Sequence, residues 1–206
     1  MKPTREALTI GDAAPDFSLR GVDGRDHRLA DLADKPVLVV VFSCNHCPYV
    51  QAYEDRLIAI QRDYGARGVQ VVAINSNDDR NYPEDGFDQM VTRAKEKQFN
   101  FPYLRDATQA VATAYGATHT PQLFVFDDER RLRYTGKIDD NWQSPEAVTR
   151  RYLRDALDAL LSRRAPAEPS THAIGCTIKW APGSGDRKST RLNSSHSSVS
   201  RMPSSA

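Results

Sequence analysis

The sequence predicts an α/β fold, with a central mixed β-sheet flanked by helices and a short β-hairpin ahead of it. Three observations carry this. Residues 37–42 and 69–75 are apolar, β-branched runs bounded by turn residues, the pattern of strands buried on both faces. Between them Val50, Tyr53, Leu57, Ile60 and Tyr64 recur at spacings of three and four, which gives one apolar helix face. Such a strand–helix–strand unit implies parallel pairing through a right-handed crossover. A later pair of strands, 122–127 and 131–136, joined by the turn Asp127-Asp128-Glu129-Arg130, makes the sheet mixed.

The elements follow in order. Residues 1–11 read as a lead-in. Ala14-Pro15-Asp16-Phe17-Ser18-Leu19 reads as a strand, Gly21-Val22-Asp23-Gly24 as a turn and His27-Arg28-Leu29 as the returning strand. One helical turn is expected at 29–32. The strand 37–42 ends in Ser43, which is placed to cap the next helix, with Pro48 in its first turn, where a missing N–H is harmless. That helix, 49–67, ends at Gly65 and Gly68. After the strand 69–75 comes a polar loop, 76–85, then a helix, 86–97, with Phe87, Met90, Val91 and Ala94 inward. Residues 101–104 are extended and 107–115 form a short helix closed by Gly116. Ser144 and Pro145 open a last long helix running to 162, with Val148, Tyr152, Leu153, Ala156, Leu157 and Leu160 on its buried face.

Composition narrows the function. A chain of 206 residues suits one domain with a tail, here a domain over 12–162 followed by an extension over 163–180 and a tail over 181–206. The formal charge of +1 gives no attraction to nucleic acid or to an anionic membrane. Three cysteines, an odd number, argue against an extracellular disulfide scaffold. No apolar stretch is long enough to span a bilayer, and Met1-Lys2-Pro3-Thr4-Arg5-Glu6 lacks the apolar region of a signal peptide. A reducing cytoplasm is the expected compartment.

The chemistry sits at Cys44-Asn45-His46-Cys47-Pro48, where a buried strand hands over to a helix N-terminus. A thiolate is the nucleophile of disulfide exchange. Helix N-termini, cationic neighbours and a Cys-x-x-Cys arrangement lower a thiol pKa from about 8.5 into the range of roughly 3.5 to 7.5. Cys44 is expected to point its sulfur at free backbone N–H groups, with protonated His46 adding positive charge and Cys47 one turn on, able to close a disulfide. The alternatives are two inert buried cysteines or half of a zinc site.

The chain resembles the thioredoxin-like superfamily in its redoxin branch, the AhpC/TSA type that includes alkyl hydroperoxide reductases and thiol-disulfide oxidoreductases. The resemblance rests on Cys44-x-x-Cys47-Pro48, the opening Ala14-Pro15-Asp16-Phe17-Ser18-Leu19, Gly116-x-x-x-Thr120-Pro121 before a strand, and the order of strands and helices. Asn75-Ser76-Asn77-Asp78, Tyr82-Pro83-Glu84-Asp85 and Gly175-Cys176-Thr177-Ile178-Lys179-Trp180 narrow it to a peroxiredoxin-like subgroup. It implies a thioredoxin-like fold, attack by Cys44, resolution by Cys47 and a cis Thr120–Pro121 bond against the pair. The chain also departs from the pattern. Peroxiredoxins proper carry a threonine three residues before the peroxidatic cysteine, where this chain has Val41. Thioredoxin buries an aspartate in the strand before its motif, and this strand is wholly apolar. Either His46 carries the proton, or a carboxylate reaches in from Glu84 or Asp85. His119 stands beside Thr120 as a further candidate.

Three functions compete. One is a thiol-disulfide oxidoreductase cycling Cys44/Cys47, tuned by Asn45, His46, Pro48, Thr120 and Pro121. In it His46 favours the reduced form and so makes the pair more oxidising than thioredoxin. Another is a thiol-dependent peroxidase with antioxidant activity, passing oxidation to Cys47 or Cys176. The last is a non-enzymatic protein holding zinc or copper on Cys44, His46, Cys47 and Cys176 or His119. For the enzyme readings no cofactor or metal is expected. The substrates are protein thiols and disulfides or hydroperoxides, the reductant thioredoxin or glutathione, and no nucleic acid or membrane takes part.

After a proline-rich linker, 165–169, the patch from Ile174 to Trp180 is expected to fold back with Trp180 as anchor. Gly175 would let the backbone approach closely there, and Cys176 is either a small buried residue or a relaying thiol. From Ala181 onward the periodicity vanishes. Residues 186–196 translate one reading frame of a common sequencing-library adapter, so 186–206 is expected to be an assembly artefact on a disordered tail.

Overall fold

Regular structure begins with a hairpin. β1 (Ser18–Gly21) pairs antiparallel with β2 (Asp26–Arg28), and a 3₁₀ turn, Leu29–Leu32, follows. Then come β3 (Val37–Ser43), α1 (Pro48–Tyr64), β4 (Val69–Asn75), α2 (Phe87–Glu96), β5 (Tyr103–Arg105), α3 (Ala110–Tyr115), β6 (His119–Thr120), β7 (Gln122–Phe126), β8 (Leu132–Gly136), α4 (Tyr152–Leu161) and β9 (Cys176–Thr177). The structure is a computed structural model and describes residues 6–183. The first five residues of the expected lead-in, and the expected tail and adapter segment from 184 on, lie outside the described residues.

Seven strands form one mixed sheet in the order β2-β1-β5-β4-β3-β7-β8. β4 runs parallel to β3 and to β5, while β7 is antiparallel to β3 and to β8. Strand alternation explains why β3 is apolar throughout. Val37, Val39 and Val41 face one core layer with Tyr53, Leu57, Ile60, Leu153 and Leu157. Leu38, Val40 and Phe42 face the other, with Tyr115, Phe124, Phe126 and Ile178. Burying a strand this way takes water off both faces, worth about 1.5–3 kcal/mol for each large side chain. Among the described residues no helix is long and apolar enough to cross a membrane.

Several sequence expectations shift. The first strand starts at Ser18 rather than Ala14, because Ala13 bridges Arg131 and the Ala14 N–H bonds the Arg130 carbonyl. Val91, expected inward, is exposed: α2 leans on the sheet through Met90, with Ala94 behind it. The last helix opens late. A 3₁₀ turn, Pro145–Ala147, sits where it was expected to begin, and α4 starts only at Tyr152. The Asp140 carboxylate accepts the Thr149 N–H at 3.0 Å, and the Arg150 carbonyl accepts the Asp140 N–H at 3.1 Å. The backbone groups of 149 and 150 thereby bond residue 140 instead of a helix ladder.

The chain after α4 returns to the body. Ser170 bridges Thr135 at the outer edge of β8, and further on β9 pairs antiparallel with β6, Thr120 opposite Cys176 and His119 opposite Thr177. Ile178 is buried and Trp180 packs on the core layer beneath it. The Ile178 N–H bonds the Thr118 carbonyl at 2.9 Å, and Gln109 bonds the Lys179 carbonyl and the Ala181 N–H at 2.8 and 2.9 Å.

Candidate active site

β3 ends at Ser43, in register with Asn75, and the chain then turns through Cys44-Asn45-His46 before α1 begins. Ser43 therefore does not cap the helix. The N-cap is Cys47 itself, in extended conformation (φ −74°, ψ 123°), with Pro48 as the first helical residue. The position predicted for the Cys44 sulfur, over free helix-end N–H groups, belongs to Cys47.

That placement splits the two thiols. The Cys47 sulfur lies 2.8 Å from the Cys176 sulfur, and its thiolate is favoured by the Cys44 and Cys176 thiols and by the nearby Val50 and Cys176 N–H groups. Against the effect of burial, these donors, the Cys44 thiol foremost, pull its pKa from 9.0 to about 4. As a thiol it donates to the Thr120 carbonyl at 3.3 Å. Cys44 moves the other way. Its bond to Cys47, its burial and the nearby Asp85 carboxylate all push its pKa up, with the Thr120 hydroxyl, 3.4 Å from the sulfur, opposing. Both sulfurs are covered: Cys44 is 2% exposed and Cys47 0%. Val50, Tyr49 and Cys176 pack on them, and Tyr49 rests on Trp142 with ring centroids 4.3 Å apart.

The carboxylate that reaches in is Asp85, fully buried, and not Glu84. A 3₁₀ turn, Pro83–Asp85, aims the two neighbours in opposite directions. Glu84 stays half exposed, its carboxylate 3.9 Å from His46, and contributes its backbone carbonyl to Asn45 Nδ2 at 2.8 Å. Asp85 accepts the Asn45 N–H at 2.6 Å, Asn75 Nδ2 at 3.3 Å and Asn77 Nδ2 at 2.8 Å, and its Oδ2 lies 2.6 Å from His46 Nδ1. Tyr103 donates to Asn45 Oδ1 at 2.9 Å, and Gln51 donates to the Asn45 carbonyl at 2.8 Å. Asn45 is thus the pivot that fixes the turn between the cysteines. His46 stacks on Tyr82 with ring planes 6° apart, and while bonded to Asp85 it keeps a ring nitrogen within 4.8 Å of the Cys44 sulfur.

The peptide Thr120–Pro121 is cis, as the resemblance implied, and carries Thr120 against both sulfurs. Thr120 is also the hydroxyl that Val41 could not supply. His119 turns elsewhere: its Nδ1 lies 2.8 Å from the Thr118 hydroxyl. A metal set of Cys44, His46, Cys47 and Cys176 or His119 is not what the fold assembles. Among the described residues, Cys44, His46 and Asp85 are the ligand-bearing groups with atoms within 4.8 Å of one another, and His46 and Asp85 already bond each other there.

Sequence reasoning missed Asn75, Asn77 and Tyr103 as parts of the site. Asn75 closes the apolar run of β4 and Asn77 follows two residues on, a polar end that was the available signal, whereas Tyr103 opens β5 and carried none.

The chain matches the AhpC/TSA family over residues 10–135. It is similar to the thiol-disulfide oxidoreductase ResA of Geobacillus thermodenitrificans, at 28% identity over 131 residues, 63% of this chain and 70% of that protein. It is similar to a "Putative peroxiredoxin" of Mycobacterium tuberculosis, at 30% over 144 residues, 68% of this chain and 83% of that one. Among solved structures it superposes on a hypothetical protein of Sinorhizobium meliloti with a TM-score of 0.82 and 41% identity, covering 86% of this chain and 98% of the other. The thioredoxin domain of a Bacteroides vulgatus thiol-disulfide oxidoreductase shares the fold, with a TM-score of 0.53 at 16% identity over 61% of this chain and 86% of that one.

Proposed function

The chain belongs to the AhpC/TSA family, and from that premise we propose that it is a thiol-disulfide oxidoreductase whose redox-active centre is the Cys44/Cys47 pair. The observation that carries this reading is that one residue meets both sulfurs: the Thr120 hydroxyl lies 3.4 Å from the Cys44 sulfur and the Thr120 carbonyl 3.3 Å from the Cys47 sulfur. The neighbouring Cys44 thiol favours the Cys47 thiolate, and the same contact, with burial, favours Cys44 as the thiol. In a full cycle the reduced pair gives two electrons to a substrate disulfide, which leaves as two thiols. The Cys44–Cys47 bond forms, and an external dithiol reopens it.

A stabilised thiolate in the reduced form makes a pair more oxidising, by roughly 30 mV for each unit of pKa. The substrates are thiols and disulfides or peroxides. The reductant we assign is a thioredoxin-like dithiol or glutathione, in a reducing cytoplasm. Peroxide reduction is the second reading, favoured by one contact, the Thr120 hydroxyl beside Cys44. In it the peroxide oxidises Cys44 to a sulfenic acid, which Cys47 condenses to the same disulfide with loss of water. Insulin reduction and hydroperoxide consumption, measured side by side with one reductant, test the choice. Insulin reduction is expected to be the faster. Peroxide turnover without insulin reduction would replace the first reading by the second.

A further inference from the structure

We propose that Cys176 is a third redox thiol, which takes over the disulfide from Cys44 by bonding Cys47. The inference rests on the Cys44/Cys47 reading and adds a step to it. Its ground is the way the fold delivers Cys176. The Cys47 and Cys176 sulfurs lie 2.8 Å apart, while the two residues are 129 apart in sequence. The approach is built, not incidental. β9 pairs with β6 so that Cys176 sits opposite Thr120, the residue whose hydroxyl and carbonyl already touch Cys44 and Cys47. Gly175 makes the pairing close: a Cβ there would collide with the Thr120 carbonyl oxygen. Behind the cysteine, Ile178 is buried and Lys179 bonds Asn77, a residue that itself holds Asp85.

Cys47 is thus the shared sulfur, flanked by two thiols. Once a substrate has oxidised the pair, the Cys176 thiolate attacks the Cys47 sulfur. The Cys47–Cys176 bond forms, the Cys44–Cys47 bond breaks, and Cys44 leaves as a thiolate that takes up the proton Cys176 lost. Two cysteines are oxidised before and after, so no further oxidant or reductant enters. The disulfide has moved from a pair of covered sulfurs to one that includes the half-buried Cys176. An external reductant then meets an accessible sulfur, and access is a main determinant of exchange rate.

The test is disulfide mapping of the full chain after stoichiometric oxidation with diamide, by proteolysis and mass spectrometry, with turnover measured alongside. The wild type is expected to contain both Cys44–Cys47 and Cys47–Cys176. Cys44→Ser is expected to give Cys47–Cys176 within the chain. Gly175→Val, which drives the strand off Thr120, is expected to keep Cys44–Cys47 and lose Cys47–Cys176. Cys176→Ser is expected to form Cys44–Cys47 normally and to be reduced roughly tenfold more slowly by the same dithiol, since access then limits exchange. A Cys44→Ser protein with no Cys47–Cys176 bond, or a Cys176→Ser protein reduced at the wild-type rate, overturns the proposal and leaves the Cys44/Cys47 reading standing. A Cys47–Cys176 bond that survives the reductant opening Cys44–Cys47 overturns it too, as a static staple. Failure of Cys176→Ser to form Cys44–Cys47 at all defeats the underlying reading instead.

Discussion

Cys47→Ser is expected to stop turnover altogether and to leave Cys44 trapped in mixed disulfides with its substrates. Cys44→Ser is expected to stop turnover as well, but to trap far less, because Cys47 has the Cys176 thiol 2.8 Å away as an internal partner. Affinity capture after alkylation measures this, and equal trapping by the two variants would reverse the roles. The same thiolate predicts a pH signature in the reduced protein. A thiol whose folded pKa lies below its unfolded value adds stability that is complete above 9.0 and lost as pH falls towards about 4. Cys176 is raised to about 11, mainly by burial, and works in the opposite sense: its contribution is complete below 9.0 and lost as pH climbs towards 11. The stability difference between reduced wild type and Cys47→Ser should therefore shrink steadily from pH 9 down to pH 4. A difference independent of pH across that window would mean that Cys47 is an ordinary thiol.

Asp85→Asn is expected to be the most damaging change outside the cysteines. It puts an amide where Asn45, Asn75, Asn77 and His46 all need an acceptor. Breaking a buried charged network of this kind costs about 3–5 kcal/mol. For a domain of this size that lowers the melting temperature by roughly 10 °C. The survivors at low temperature carry a second readout. Removing the Asp85 charge lowers the Cys44 pKa, so the potential of the pair should become less negative, by roughly 30 mV per unit. His46→Gly should move it the other way, since it takes a hydrogen-bonding group away from Asp85 and leaves that charge less compensated beside Cys44. Equal signs for the two variants would sever His46 from the cysteine pair.

The fold was legible where periodicity and burial agree. The strands at Val37 and Val69, the helix between them and the hairpin after Pro121 follow from patterns that local chemistry determines. The 3₁₀ turn of Leu29–Leu32 was legible for the same reason. What failed was long-range. Nothing near Thr149 says that Asp140 will claim its N–H and delay the last helix. The motif itself named Cys44 and Cys47, but not which sulfur would collect the donors, because that depends on where α1 starts. Pro48 would be the fifth helical residue after a Ser43 cap and is the first after Cys47, so it was the local signal for the later start. Asp85 could not be told from Glu84 until the turn carrying both was seen to bury one and expose the other.

The three sulfurs do not ride on equally firm backbone. Cys44 follows β3, a strand paired on both sides and packed on both faces, while Cys176 belongs to a two-residue strand on a separate two-stranded ladder. In native-state hydrogen exchange, protection follows this kind of distinction: central strands open only with global unfolding, and short peripheral ladders open alone. The Val39–Val41 amides should therefore exchange last and the Cys176–Ile178 amides hours to orders of magnitude sooner, through a local opening that leaves the sheet intact. The ladder pairs Cys176 with Thr120, the residue against both other sulfurs, so its opening would uncover the Cys44/Cys47 pair to a macromolecular substrate. The free energy of that small opening, not the chemistry of the sulfurs, then sets how often the enzyme is available to a partner.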